Sequence, residues 1–181
     1  MSALRLPDDV AAWAEAAAAL VNTRPRETNP AEKLVTVADL EAVLAACPEP
    51  PPPATAADLE PVRRVRAQLT AVFEADTLDG IAEAANPLLA SGAAGWAMTP
   101  RGDGGWALGP GGPTDLAAWL GARAARGLAE LAIAYGIERL HLCAADDCMS
   151  AVVDVSRNGS RRYCSRRCAN RTNVRRHRLT H

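Results

Sequence analysis

The sequence predicts a mainly α-helical N-terminal domain with a small β-hairpin sheet, an α+β arrangement over residues 1–137. A treble-clef-like module of knuckle, β-hairpin and helix is expected to follow over residues 138–181. Three observations lead there. Apolar residues recur at helical spacing through alanine-rich segments, a pair of Gly-Trp segments interrupts that pattern once, and four of the five cysteines crowd into 26 residues near the C-terminal end.

Taken in order, Val10 to Val21 places Trp13, Ala16, Ala17, Leu20 and Val21 on one helical face. Thr36 and Asp39 have the spacing of a capping box ahead of Leu40, Val43 and Leu44. Cys47 to Pro53 cannot continue a helix, because repeated proline removes backbone donors, so it reads as a stiff surface loop. Asp58 is expected to cap a third helix bearing Leu59, Val62, Val65, Leu69, Val72 and Phe73, and Thr77 a fourth bearing Leu78, Ile81, Ala85 and Leu88. Two Gly-Trp segments, at 95–98 and 105–108, flank a turn at Arg101 to Gly104 and read as a hairpin. Thr114 is expected to start the longest helix, with Leu116, Leu120, Leu128, Leu131 and Tyr135 facing a core and Gly136 as its stop.

No run of about 18 apolar residues is present, and the start of the chain lacks a basic region feeding an apolar stretch. The expectation is a cytoplasmic protein with no membrane partner. Net charge is −1, but the distribution is uneven: residues 1–154 hold all 21 acids and 11 bases, whereas residues 155–181 hold nine arginines and no acid. A basic end of that kind suits a polyanion, while the acidic remainder argues against the whole surface coating nucleic acid.

The cysteines fall as Cys143-x4-Cys148 and Cys164-x3-Cys168. Two short-spaced pairs of soft ligands supply two edges of a tetrahedron, which suits one structural zinc ion. An iron-sulfur cluster, disulfides or a redox dithiol are the alternatives, the last disfavoured because neither pair has Cys-x-x-Cys spacing. Between the pairs, Ala151 to Val155 and Ser160 to Cys164 read as strands joined at Asn158-Gly159, and a helix is expected from Ser165, presenting Cys168 in its first turn. Some forty residues with few large apolar side chains would need the metal to fold. Cys47 stands apart with no assigned role.

Residues 139–176, and above all the run Asp154-x-Ser156-Arg-Asn-Gly-Ser-Arg-Arg-Tyr-Cys164-Ser-x-x-Cys168-Ala-Asn-Arg171, resemble the CGNR zinc finger. The departures are Ala169, where the motif has glycine, and Tyr163, where tryptophan is common. Leu20-Val-Asn-Thr-Arg24 is similar to the opening signature of the ABATE domain, which precedes that finger in family proteins and is associated with stress-induced transcription regulators. The resemblance implies a DNA-binding regulator whose first domain senses something or dimerises.

Arg161 and Arg162, with Arg166, Arg167, Asn170, Arg171, Arg175, Arg176 and Arg178 along the last helix, are the candidate contacts to double-stranded DNA. Arginine pairs with guanine and asparagine with adenine in the major groove, and marginal arginines meet phosphates. Alternative duties are neutralising the zinc thiolates, bracing the zinc loop, docking on the acidic first domain, or presenting a surface to another protein. Asn22, Thr23 and Arg24 form the one polar cluster of note in the first domain, read either as a helix end or as a small-molecule effector pocket. A homodimer would suit a regulator. No P-loop, His-Glu-x-x-His, Gly-x-Ser-x-Gly or zinc-deaminase motif occurs, and His141, His177 and His181 are the only histidines, so no enzyme is expected.

Overall fold

A computed structural model describes residues 7–24, 31–91, 96–100, 105–110 and 115–179. Among them run helices α1 (Asp8–Val21), α2 (Val37–Leu44), α3 (Leu59–Glu74) and α4 (Leu78–Ser91). Strands β1 (Trp96–Pro100) and β2 (Trp106–Pro110) follow, then α5 (Leu116–Tyr135), strands β3 (Leu140–Leu142) and β4 (Ala151–Val153), and α6 (Arg166–Leu179). No helix among the described residues is long and apolar enough to cross a membrane.

Local chemistry sets the helix boundaries. Thr36 and Asp39 form the expected capping box, with the Asp39 N–H donating to Thr36 Oγ1 (3.2 Å) and the Thr36 N–H to Asp39 Oδ2 (2.7 Å). Asp58 stands at the N-cap position of α3 as expected, but its side chain does not cap that helix and turns back to Thr55. Asp58 accepts from the Thr55 N–H (2.8 Å), and a short 3₁₀ turn, Ala56–Asp58, feeds α3. The Gly80 N–H donates to Thr77 Oγ1, so Thr77 caps α4 as expected. Asp115 caps α5 through the Ala118 N–H, and Gly136, at φ 94°, ends that helix where L-residues are strained. Thr114 and the turn at 101–104 lie outside the described residues, as do the side chains of the β1–β2 hairpin, whose register pairs Trp96 with Pro110 and Pro100 with Trp106.

The core centres on α5, which packs on α1, α3 and α4. Its buried face carries Leu116, Leu120, Leu128 and Leu131, set against Trp13, Leu20, Val62, Leu69 and Leu88. Trp13 and Trp119 meet edge to face at 5.2 Å between ring centroids, so both belong to the core rather than to a pocket wall. Arg123 lies 4.8 Å over the Trp119 ring and donates to Glu49 at 2.9 Å, which ties the proline-rich loop to α5. The helices α1 and α5 approach closely because position 127 has no side chain; a Cβ there would lie 2.7 Å from Trp13 Cβ and 2.8 Å from the Ala14 backbone nitrogen.

Leu140, Ala151 and Val153 are buried in this same core, so β3 and β4 sit against α1 and α3. The segment carrying the cysteines is thus seated on the helices.

A polar network links α3 to the end of α1. Arg66, only 8% exposed, donates to both oxygens of Glu32 (2.6 and 2.7 Å) and to Thr23 Oγ1 (3.0 Å). That bidentate pairing, with the Leu34 N–H also donating, brings the Glu32 carboxyl down to about 2 against the burial that opposes ionisation.

Two outcomes follow from this packing. Gly127→Ala forces α1 and α5 apart and lowers stability by about 1 to 3 kcal/mol, read from the denaturant midpoint. Because the Glu32 carboxyl is depressed on folding, its contribution of roughly 2 kcal/mol, allowing for partial exposure, is fully present above pH about 4.5 and is lost as pH falls toward about 2. The stability gap between the parent and Glu32→Gln therefore narrows over that range in melts taken at stepped pH.

Candidate metal centre

Cys143 directly follows β3, and Cys148 closes a tight loop before β4. The two strands pair antiparallel, Leu140 with Val153 and Leu142 with Ala151, so the knuckle is the tip of a hairpin. This corrects the expected pairing of 151–155 with 160–164. Residues 160–164 carry no strand, and β3 takes their place because Leu140 and Val153 can then both enter the helical core. The turn at Asn158-Gly159 does form, with Gly159 at φ 60°, under the Arg139 guanidinium; a Cβ there would meet Arg139 Cζ at 3.1 Å.

Asp154 shapes the returning chain. It is 1% exposed and accepts from the Ser156 N–H and the Arg161 N–H, both at 2.8 Å, while Arg139 donates to the carbonyls of Asp154 and Ser156. Burial opposes its ionisation, but the bonds from Ser156 and Arg161 and the charge of Arg139 hold its carboxyl below the usual range. The chain then delivers Cys164 beside the knuckle, where its N–H donates to Cys143 Sγ (3.3 Å) and the Ala144 N–H donates to the Arg162 carbonyl (2.9 Å). Ser165 accepts from the Cys168 N–H and starts α6, whose first turn presents Cys168 as expected.

The four sulfur atoms lie within 4.8 Å of one another. Cys148, Cys164 and Cys168 are separated by 3.5 to 3.6 Å, close to the edge of about 3.8 Å that a tetrahedron with Zn–S bonds of about 2.3 Å requires. These separations are far longer than a disulfide bond of about 2.05 Å, and all five cysteines are free thiols. The donor set therefore fits one zinc ion enclosed by sulfur.

Local bonds prepare the thiols unequally. Burial, opposed by N–H groups that include that of Cys164, pushes Cys143 up to about 12. Burial also opposes ionisation of Cys148, but bonds from Ser150 and from the Cys164 and Cys168 thiols outweigh it and bring Cys148 down to about 7. Metal binding must displace the remaining protons.

The structure separates the candidate arginines into two groups. Arg161 donates to the carbonyls of Val153 and Cys164 and so braces the finger. Arg171 reaches Asp147 at 2.6 Å and Cys168 Sγ at 3.7 Å, and Arg175 reaches Asp146 at 3.4 Å. Asp146 and Asp147 thus hold α6 against the knuckle; the signal in the sequence is two adjacent acids and two arginines one helical turn apart. Arg162, Arg166, Arg167 and Arg178 are exposed and have no carboxylate partner among the described residues, and Asn170 is exposed beside them. The Arg176 side chain lies outside the described residues.

Ala169, the departure from the glycine of the motif, is helical, and Met149 is the only non-glycine with positive φ among the described residues. Alanine therefore brings no backbone strain. His141 sits on β3 paired with Val152, with Nδ1 3.1 Å from the Glu138 carbonyl, and serves the strand. Asn22, Thr23 and Arg24 are all engaged within the chain: Asn22 with Ala151, Thr23 with the Leu20 carbonyl and Arg66, Arg24 with Glu74 and the Met149 carbonyl. A cleft of about 240 Å³ lies beside Asn22, between α1 and β4.

A helical body bearing a four-cysteine site and a basic terminal helix defines a protein with a C-terminal zinc finger. The family model described as ABATE, putative stress-induced transcription regulator, matches residues 14–134, and the CGNR zinc finger model matches residues 139–181. The chain belongs to the ABATE family and carries a CGNR zinc finger. No curated protein matches the sequence.

The purified chain should hold one zinc ion. Because Cys143 and Cys168 must lose protons to bind it, occupancy falls as pH is lowered, which metal analysis of dialysed samples across a pH series will read.

Proposed function

We propose that the chain is a cytoplasmic, DNA-binding transcriptional regulator in which zinc shapes the finger and the outer face of α6 meets double-stranded DNA. The observation that carries this reading is the set of arginines left over once the finger has been braced. Arg166, Asn170, Asn173 and His177 recur along the helix face turned away from Cys168, flanked by Arg167 and Arg178, with Arg162 beside its first turn. Among the described residues these arginines pair with no carboxylate of the acidic helices, which favours an external polyanion over internal docking. A 14-residue helix of this character suits the major groove, with arginine and asparagine at base edges and the outlying arginines at phosphates.

On this reading the zinc is structural. Four thiolates leave no position for water or substrate, so the role is binding rather than catalysis. A small-molecule effector and a homodimer belong to the same proposal as properties of the helical domain. The second reading, a zinc-stabilised protein-interaction module, is favoured by exposed Val174 (51%) within the basic face, since an apolar centre ringed by charge also suits a protein partner.

Duplex binding by the zinc-loaded chain, followed by fluorescence anisotropy, should weaken with salt at a slope of about 0.9 log unit per phosphate neutralised. The double substitution Arg166→Ala and Arg167→Ala should lower that slope by up to about 2, whereas Arg175→Ala, already paired with Asp146, should change it by less. Association that is absent or insensitive to salt, alongside protein capture that survives nuclease, would replace this reading with the second.

A further inference from the structure

The end of α1 and the metal centre meet at three consecutive residues, Met149, Ser150 and Ala151. The Asn22 side-chain amide donates to the Ala151 carbonyl (3.0 Å) and accepts the Ala151 N–H (2.9 Å), so one side chain fills both backbone positions that a neighbouring strand would fill. Arg24 donates to the Met149 carbonyl (3.0 Å) and also pairs with Glu74 on α3 (3.3 Å). Met149 is held at φ 51°, a conformation that L-residues avoid unless their surroundings impose it.

Between these two anchored residues lies Ser150. Its Oγ is 3.1 Å from Cys148 Sγ, and its carbonyl accepts the Cys143 N–H at 2.7 Å. One residue therefore touches the sulfur of one ligand and the backbone of another, and it is held on both sides from the helical domain.

We infer that Asn22 and Arg24 are positioning residues of the zinc centre, fixing Met149 to Ala151 so that Ser150 orients Cys143 and Cys148 for the metal. By thermodynamic reciprocity, zinc in turn stiffens the end of α1. Asn22 and Arg24 act through Ser150 rather than on the metal itself, as outer hydrogen bonds to ligands commonly do, and losses of such bonds typically weaken metal binding by 10- to 100-fold.

The test compares the full-length parent, Asn22→Ala, Asn22→Asp and Arg24→Ala. Zinc affinity is measured by competition with a chromophoric chelator, the thiolate-to-cobalt absorption of cobalt-substituted protein reports ligand geometry, and amide exchange is followed at residues 18–24. Asn22→Ala is expected to weaken zinc by about tenfold or more and to alter the cobalt bands. Asn22→Asp keeps the acceptor for the Ala151 N–H but loses the donor, and falls between. In the parent, chelation is expected to speed exchange at residues 18–24. Unchanged affinity and cobalt spectra, with equal loss of thermal stability in zinc-loaded and zinc-stripped forms, would reduce the contact to ordinary packing and overturn the inference. Should the variants not fold, unaltered exchange at 18–24 on chelating the parent would overturn it equally.

Discussion

Everything in the C-terminal part depends on zinc-thiolate bonds being worth more than the ordering they require. Residues 140–165 contain little that could fold unaided: two three-residue strands, a tight loop and a turn. The small cluster around the sulfurs consists of Ala145 and Val152 with the cysteines themselves, partly covered by Tyr163. A structural zinc site contributes on the order of 10 to 16 kcal/mol, far beyond what that cluster buries. The metal closes the loop between Cys148 and Cys164, and that closure determines where α6 points.

The helical body was legible because its signals are local. A capping pair at Thr36 and Asp39, a cap at Thr77 and a terminating glycine at 136 act within four residues, and the apolar stripes of α1, α3 and α5 repeat often enough to outvote exceptions. The four sulfurs were legible for the same reason, since two short spacings state a geometry. What misled the reading was the strand pairing. Asn158-Gly159 is a strong turn signal, and the turn exists, but a turn does not oblige both flanks to pair. Burial of Leu140 and Val153 in the helical core, a non-local gain, decided in favour of β3 against β4.

Side-chain partners across long separations were not legible at all. Asn22 and Ala151 are 129 residues apart, and nothing in either segment names the other. Asp154 looked like one letter of a motif; its work, holding two backbone N–H groups from a buried position, appears only when the chain is folded. Asn22, Thr23 and Arg24 were visible as a polar cluster after an apolar helix, and both sequence readings kept their chemistry local or pointed it at a ligand. The folded chain turns it toward its own metal-bearing hairpin.

The same distinction governs the arginines. Nine of them within 27 residues look interchangeable in sequence, yet a guanidinium has five donors, and what it has already bonded decides what it can still bind. Arg161, with two carbonyls, and Arg171, with Asp147 and a ligand sulfur, are committed to the finger. Their charge also offsets the net double negative charge of zinc with four thiolates, which makes the finger a tolerable neighbour for a polyanion. Arg162, just before α6, and Arg166, Arg167 and Arg178 on it are exposed and meet no carboxylate among the described residues; Arg166 lies opposite Cys168 and the other two flank that face. A protein that needed positive charge only to stabilise its metal centre could stop at the first pair; the surplus is exposed charge that the finger itself does not use, and the proposed contact with DNA rests on it.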